Sequence, residues 1–315
     1  MKDLKIVFMG TPQFAVHCLE EILKAGFNVV GVITAPDKPA GRGRKLQESA
    51  VKQFAMKNKL KVLQPVNLKA EDFLEDLRQL RADVQVVVAF RMLPKVVWSM
   101  PKKGTFNLHA SLLPQYRGAA PINWAIMNGE RITGVSTFFL DEKIDTGEMI
   151  LQENVEITPE ENVGTLHDKL MHTGANLIIK TLKLIEEQKV KTTPQLESSE
   201  LKEAPKLTRE NTKIDWDKNI YEIYNHIRGL NPYPAAWCSL INNGDDLKVK
   251  IYDCRKEMVQ HELSSGKILI ENKILKVAVE GGYIIIDEIQ LPGKRKMKIK
   301  DLLNGFEFAG EAKFG

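Results

Sequence analysis

The sequence predicts an α/β fold with a parallel sheet, followed by a second domain built as a small β-barrel. Two observations carry this prediction: strand and helix patterns alternate up to residue 90, and short strands separated by turn residues fill the chain after residue 214. The length agrees, because 315 residues is about twice the ~150 residues of a typical domain.

The first half of the chain alternates short apolar runs with segments of helical periodicity. Phe14, Val16, Leu19 and Ile22, for example, recur at the spacing of one helix face. The predicted strands are 5–9, 29–33, 61–63 and 84–90, and the predicted helices are 12–25, 51–57 and 70–80. This rhythm indicates a Rossmann-like domain, in which ligands bind at the carboxyl ends of the strands. The loop 10–14 lacks the GxGxxG spacing, so a nicotinamide cofactor is not supported.

The second half changes character after a long amphipathic helix predicted over 164–188. A polar stretch containing Pro194 and Pro205 follows, and this composition is typical of a linker. The later elements are predicted as one helix over 220–227 and strands over 237–241, 247–252, 266–270, 275–279 and 283–289. Their turn residues favour an OB-like barrel. The expected domains are 1–189 and 206–315, with the linker over 190–205.

Composition excludes several classes of protein. The net charge is 45 − 41 = +4, which is too small for a general polycation, so any nucleic-acid contact must be local. The three cysteines are widely spaced, which argues against a CxxC metal site and a disulfide framework. The longest apolar run, 84–90, is too short to span a bilayer, and no signal peptide is evident. We expect a cytoplasmic, monomeric enzyme without membrane contact.

One strand pattern carries candidate chemistry. Asn107 and His109 alternate along an extended segment, so their side chains share one face. An amide and an imidazole on one face suit a site where negative charge develops on an oxygen. Asp145, in a turn next to Gly147, is the candidate acidic partner of the imidazole. A hydrogen-bonded structural pair and simple turn chemistry are the alternatives, and spacing alone leaves them open.

Longer motifs add a resemblance to a known family. The run His109-Ala110-Ser111-Leu112-Leu113-Pro114-Gln115-Tyr116-Arg117-Gly118 resembles the signature of the 10-formyltetrahydrofolate-dependent formyltransferases. The stretches 8–15, 36–46, 145–149 and 228–237 resemble, in order, further motifs of the members that formylate methionine on initiator tRNA. The resemblance spans nearly the whole chain and implies a transferase of translation initiation.

The resemblance also implies a mechanism. The methionine amine would attack the formyl carbon, and Asn107 and His109 would donate hydrogen bonds to the oxyanion of the tetrahedral intermediate. Asp145 would orient His109, stabilise its cationic form and assist removal of the amine proton. No metal is implied, and none of the six histidines falls in a metal-ligand motif.

The formyl donor, 10-formyltetrahydrofolate, is expected to lie against the end of the 84–90 strand and the 141–147 turn. The implied contact residues are Val88, Ala89, Phe90, Arg91, Met92, Ser111, Leu112, Leu113, Pro114, Asp141 and Gly147. Many family members have glycine where this chain has Arg91, so this side chain either reaches the folate carboxylates or lies on the surface.

Two basic segments are implied to bind the acceptor stem of initiator methionyl-tRNA. The implied contact residues are Arg42, Arg44, Lys45, Lys294, Arg295, Lys296 and Lys298. The first segment is glycine-rich, and the second alternates lysine with apolar residues over 296–300, as a strand with one charged face does. A solvated loop and a lysine-guarded edge strand are the alternatives.

Three rival functions share part of the evidence. A glycinamide ribonucleotide formyltransferase is shorter and has no second domain, which argues against that rival. A formyltransferase acting on a nucleotide-linked amino sugar has the same Asn, His and Asp elements, but the loop 36–46 is absent from such enzymes. A catalytically silent RNA-binding protein is the rival from another class, and the intact Asn107, His109 and Asp145 argue against it.

Overall fold

The computed structural model describes residues 3–40, 45–198 and 200–315. The chain forms two compact units, and both are discontinuous in sequence. Unit 1 consists of 1–118, 133–155 and 168–203, and unit 2 consists of 119–132, 156–167 and 204–315. The second unit therefore takes in two short segments that precede the predicted linker.

The elements up to residue 186 mostly follow the predicted alternation. They are β1 Lys5–Gly10, α1 Gln13–Lys24, β2 Asn28–Ile33, β3 Lys38–Ala40, β4 Lys45–Gln47, α2 Ala50–Lys57, β5 Val62–Leu63, α3 Glu71–Gln79, β6 Val84–Val88, α4 Lys95–Trp98, β7 Thr105–His109, β8 Arg117–Gly118, α5 Pro121–Met127, β9 Ile132–Phe139, β10 Met149–Glu156 and α6 Val163–Glu186.

Unit 1 is built on a seven-stranded sheet of order β10-β9-β7-β6-β1-β2-β5. The five strands from β7 to β5 are parallel, whereas β9 runs antiparallel to β7. Every residue of β6 is buried, which explains why four of its five residues are valines, with Gln85 as the exception. The Rossmann-like prediction is thus confirmed, with an antiparallel addition beside β7.

The end of β6 differs from the sequence prediction. The strand stops at Val88 rather than continuing to Phe90, because Ala89 adopts a left-handed backbone with φ of 46°. Such a conformation cannot continue a strand. The carboxyl end of β6 therefore turns sharply beside β7, the strand with which it pairs.

The elements after residue 186 are mainly antiparallel strands. They are β11 Glu203–Ala204, α7 Ile220–Arg228, β12 Ala236–Asn242, β13 Asp245–Met258, β14 Ile268–Glu271, β15 Ile274–Val279, β16 Gly282–Gln290, β17 Met297–Lys298, α8 Ile299–Leu302 and β18 Lys313–Phe314.

Unit 2 is a curled sheet of order β14-β15-β16-β13-β12-β18. A bridge between Lys267 and Lys313 joins its two ends, and the Phe314 amide donates to the Gly266 carbonyl over 2.9 Å. Gly266 has φ of +79°, and a Cβ there would overlap the Phe314 carbonyl oxygen, so only glycine fits this closure. The prediction of an OB-like barrel is confirmed.

The predicted charged strand over 296–300 is wrong. The strand β17 covers only Met297–Lys298, and helix α8 begins at Ile299. Ile299 and Leu302 are both buried, a spacing of three that helical periodicity satisfies and strand alternation does not. Lysines at 296, 298 and 300 therefore do not form one strand face. Among the described residues, no helix combines the length and apolar character needed to cross a bilayer.

Candidate active site

The carboxyl end of β7 presents the two residues that the sequence analysis singled out. Asn107 and His109 are two positions apart in β7, so their side chains lie on the same side of the strand. This strand pairs with β6 and with β9. The His109 side chain is 8% exposed, and Asn107 is half-buried. The two side chains therefore share one face, as predicted. They lie at the carboxyl end of the strand, where ligands bind in sheets of this architecture.

Asn107 has an unusual polar environment. Its Oδ1 is buried and has no hydrogen-bond partner among the described residues. A buried amide oxygen without a partner costs free energy in the empty protein, and a bound polar ligand would remove that cost. Because the two ends of an amide can exchange by rotation, the same position can offer an N–H donor or an oxygen acceptor.

The imidazole of His109 is held by backbone. Its Nε2 lies 2.8 Å from the carbonyl oxygen of Tyr116. A carbonyl oxygen only accepts hydrogen bonds, so Nε2 is the ring nitrogen that carries the donated proton. Tyr116 adopts a left-handed backbone with φ of 60°, a conformation that persists only where the surroundings impose it.

Asp145 lies on the Nδ1 side of the same ring. Its Oδ2 is 3.8 Å from Nδ1, which is ion-pair distance but too long for a hydrogen bond. The same oxygen accepts a 3.0 Å hydrogen bond from the Gly118 amide. Asp145 can therefore balance the charge of an imidazolium, while the Tyr116 carbonyl, rather than Asp145, sets the orientation of the ring.

The turn that carries Asp145 is tightly constrained. Asp145 itself has φ of 56°, and a Cβ at Gly147 would overlap the carbonyl oxygen of Phe139 at the end of β9. Asp141 accepts from the Lys143 amide and the Thr146 hydroxyl, so it shapes the turn. The glycine is thus required by close approach to β9.

Sequence reasoning missed a glutamine that joins two parts of the site. The Nε2 of Gln195 donates to the carbonyl oxygens of Asp145 at 3.0 Å and Gly147 at 2.8 Å. Its Oε1 accepts from Arg117 at 3.1 and 2.7 Å. Gln195 lies in the stretch predicted as a linker, where a polar composition gave no signal of these contacts.

The loop that follows β7 is fastened by its own polar groups. The Ser111 hydroxyl is buried and donates to the Gln115 carbonyl over 2.6 Å, and the Ser111 carbonyl accepts from Ser136. Leu113 is buried, while Leu112 and Pro114 are half-buried. The Ser111 hydroxyl is therefore committed to the loop itself.

The segment after β6 is more open than the loop after β7. Val88 is buried, Phe90 is half-buried, and Ala89 and Met92 are exposed. The guanidinium of Arg91 donates to the backbone carbonyls of Pro65 and Val66, and partial burial lowers its pKa. Arg91 itself is exposed, with its guanidinium held against this backbone, so both alternatives for Arg91 stay predictions.

The predicted basic loop falls largely outside the described residues. Arg42 and Arg44 lie there, and only the backbone of Lys45 is described, in β4. The hairpin of β3 and β4 is anchored at its base by Asp37, which accepts from Gln64 over 2.8 Å and pairs with Lys52. The hydrogen bond from Lys52 and then that from Gln64 hold the pKa of Asp37 below its ordinary value.

The barrel carries a cationic cluster that sequence reasoning also missed. Trp237 points outward from β12, between the buried Cys238 and Ala236. The charged groups of Lys248, Arg209 and Lys213 lie 4.1, 5.2 and 5.9 Å from its ring centroid. None of the three cations is ion-paired within the described part of the chain. We call these four residues the Trp237 cluster.

The predicted basic run beside β17 is only partly available. Lys294, Arg295 and Lys298 are exposed, but Lys296 pairs with Glu288 over 2.6 Å. The Lys296 ammonium also lies 5.3 Å from the ring centroid of Tyr252. The charge of this exposed lysine is thus balanced by a neighbouring carboxylate, unlike the charges of the Trp237 cluster.

One group of side chains could offer ligand atoms to a metal ion, contrary to the sequence expectation. His17, Glu20 and Glu21 place one such atom each within 4.8 Å of one another. Both carboxylates also pair with Lys24, which competes for them. The group lies on α1 and contains none of the proposed site residues.

Comparison with known proteins identifies the class. A family model described as "Formyl transferase" matches residues 4–182, and a model described as "Formyl transferase, C-terminal domain" matches residues 206–307. The chain therefore belongs to the formyl transferase family of enzymes.

Full-length relatives identify the branch of this family. The methionyl-tRNA formyltransferase of Flavobacterium johnsoniae is 56% identical over 99% of both chains. That of Bacteroides fragilis is 54% identical over 97% of this chain and 96% of its own. These two relatives cover both units of the fold.

Solved structures with a similar fold are more distant in sequence. An N-formyltransferase of Helicobacter canadensis in complex with folinic acid and dTDP-3-aminofucose matches 93% of this chain and 100% of its own, with a TM-score of 0.66 and 23% identity. HypX of Aquifex aeolicus in complex with tetrahydrofolic acid matches 96% of this chain and 47% of its own, with a TM-score of 0.63 and 17% identity. At these identities the likeness concerns the fold.

Proposed function

We propose that this chain transfers the formyl group of 10-formyltetrahydrofolate to the α-amino group of methionine carried by initiator tRNA. The observation that carries the proposal is the convergence of Asn107, His109 and Asp145 at the carboxyl end of β7 in a member of this family. The choice of acceptor is supported by the names of full-length relatives that are 50–56% identical. A cytoplasmic location and a monomeric state stay predictions.

The proposed chemistry uses each group in one role. The neutral amine forms a bond to the formyl carbon, and the carbonyl oxygen becomes an oxyanion. The Asn107 amide and the Nδ1–H of a protonated His109 donate to that oxyanion. The amine loses a proton to Asp145, directly or through water, and the bond from carbon to N10 of the folate breaks as N10 takes up a proton. Formyl-methionyl-tRNA and tetrahydrofolate are the products.

The residues present fit a folate-bound formyl group. The Oδ1 end of the Asn107 amide has no partner among the described residues, so rotation of this amide can turn its N–H donors toward the formyl oxygen. The open segment of Ala89, Phe90 and Met92 borders the end of β6, and the 141–147 turn borders β9. The folate would lie along these two segments, with Arg91 shaping the border through its bonds to residues 65 and 66.

The tRNA would bind through positive charge outside the catalytic cluster. Arg42, Arg44 and Lys45 are the proposed determinants for the acceptor stem, with Lys294, Arg295, Lys296 and Lys298 as barrel contacts. The Trp237 cluster is added here, because cations without carboxylate partners are available to phosphates and an aromatic ring supports stacking.

A direct test compares three acceptors with one donor. With 10-formyltetrahydrofolate, we expect rapid transfer to methionyl initiator tRNA, and much slower transfer to methionyl elongator tRNA and to dTDP-3-aminofucose. His109→Gln should lose transfer, whereas the exposed His172→Gln should keep it. Transfer to the sugar nucleotide with none to either tRNA would replace the proposal with the sugar formyltransferase alternative.

A further inference from the structure

We propose that Gln195 is a positioning residue of the transfer reaction, acting through the Asp145 turn. The inference rests on the proposed function and assigns a role to a side chain outside the three catalytic residues. Gln195 is half-buried and uses both ends of its amide. Its two donors hold the carbonyls of Asp145 and Gly147, and its oxygen receives two N–H groups of Arg117.

These contacts close a ring around the acidic group. Arg117 binds Gln195, Gln195 binds the backbone of Asp145, and the Asp145 carboxylate accepts from Gly118, the residue after Arg117. The carboxylate is thus fixed at its side chain and at its backbone. A residue with positive φ, as Asp145 has, needs such support to keep one conformation.

The same short segment also fixes the other partner. Tyr116, directly before Arg117, accepts the hydrogen bond from Nε2 of His109, and its own amide donates to the Lys202 carbonyl over 2.6 Å. The separation of 3.8 Å between His109 and Asp145 therefore depends on segment 116–118 and on the 145–147 turn. Besides the Asp145 carboxylate itself, the Gln195 side chain joins this segment to this turn.

An amide is the side chain that this position requires. Two carbonyl oxygens need donors, and the guanidinium needs an acceptor. Glutamate would satisfy Arg117 but would turn a carboxylate oxygen toward two carbonyl oxygens. Methionine would keep the length of the side chain and lose every one of the four hydrogen bonds.

The test measures kcat and KM separately for Gln195→Met, Gln195→Glu and the exposed control Gln188→Met. We expect both Gln195 variants to lower kcat at least ~10-fold, within the ~10²-fold range of a misplaced catalytic group. Their KM values for 10-formyltetrahydrofolate and methionyl initiator tRNA should change less than ~3-fold, and the control should match the wild type. All rates are normalised to the folded fraction, measured by circular dichroism at the assay temperature.

A double-mutant cycle with Arg117→Met separates positioning from general stability. If the ring acts as one unit, the losses in kcat from Gln195→Met and Arg117→Met will not multiply in the double variant. Normal kcat in folded Gln195→Met, or a loss that disappears after correction for the folded fraction, would overturn the inference while wild-type transfer stands. Absence of transfer by the wild type would instead overturn the proposed function.

Discussion

At the scale of single residues, the side chains of the candidate site are held in place, but they do not use all of their hydrogen-bonding capacity on one another. The His109 ring is fixed through Nε2, yet within the described residues its Nδ1 has only an ion-pair partner at 3.8 Å. Asn107 keeps a buried oxygen without a partner in the described chain. Such incomplete satisfaction is typical of a site that is completed by its substrate.

Asn107→Ala should separate activity from stability. Loss of one oxyanion donor lowers kcat by about 10²–10³-fold in comparable sites, and we expect a decrease of that size. The melting temperature should stay level or rise, because the variant removes a buried oxygen that lacks a partner. Steady-state kinetics and thermal melts check this, with the surface variant Asn58→Ala as control. Wild-type kcat in folded Asn107→Ala would contradict a donor role.

Sequence patterns predicted some features of the site and could not predict others. The shared face of Asn107 and His109 follows from strand periodicity, so it was predictable. The fixation of His109 by a backbone carbonyl was not, because every residue has a carbonyl and only the fold selects Tyr116. Gln195 was missed for a similar reason, since it lies 50 residues from Asp145 in sequence.

At the scale of elements, the sequence predictions failed in two segments, the end of β6 and residues 296–300. In each segment the local sequence pattern suggested a strand that the structure does not form. Strand β6 ends early because Ala89 turns the backbone, although Ala89 and Phe90 continue the apolar pattern. The lysine alternation over 296–300 suggested a strand, but burial of Ile299 and Leu302 against the barrel favours a helix from Ile299. Tertiary packing overrides local alternation in the second of these segments.

The outer face of β12 and β13 should contribute to tRNA affinity. Lys248 lies beside Arg209 and Lys250, and burial followed by these two like charges lowers its pKa. Lys248→Ala should weaken binding of initiator tRNA several-fold and reduce the slope of log affinity against log salt by about 1. The rate at saturating tRNA should not change.

Fluorescence titrations over a range of salt concentrations measure this effect. Lys276→Ala is the matched control, because it removes the same charge from the same barrel but from a lysine that is paired with Glu257. Equal losses of affinity in the two variants would mean that only net charge matters, and would remove the Trp237 cluster from the binding surface.

At the scale of the whole molecule, buried polar groups set the response to acid. His226 on α7 has an Nε2 that is buried without a partner in the described chain. Burial lowers its pKa, and Lys218 acts in the same direction, while a backbone bond at Thr212 and the charge of Asp215 oppose them. The ring therefore stays neutral in the folded protein near neutral pH.

This shift predicts a loss of stability in mild acid. The folded pKa is below the unfolded value of about 6.5, so the unfolded chain binds the proton first. The contribution of neutral His226 to the free energy of unfolding is complete above the unfolded pKa. This contribution is lost as the pH falls through the folded pKa of His226. Urea unfolding at pH 7.5 and 5.5 should show a smaller decrease in the free energy of unfolding for His226→Gln than for the wild type. Equal decreases in both would show that other groups dominate; His172→Gln serves as control.

The discontinuity of unit 2 limits how this protein can be recombined with its relatives. Asn123 donates to the Gly229 carbonyl over 2.8 Å, and Arg228 donates to the Glu161 carbonyl over 2.6 Å. Segments 119–132 and 156–167 therefore supply hydrogen-bond partners to the barrel and its helix, although they precede it in the gene. A chimera cut at a single point near residue 206 would pair a barrel from one parent with supporting segments from another. Exchange of three coding blocks, rather than one, would transplant the unit with its own partners.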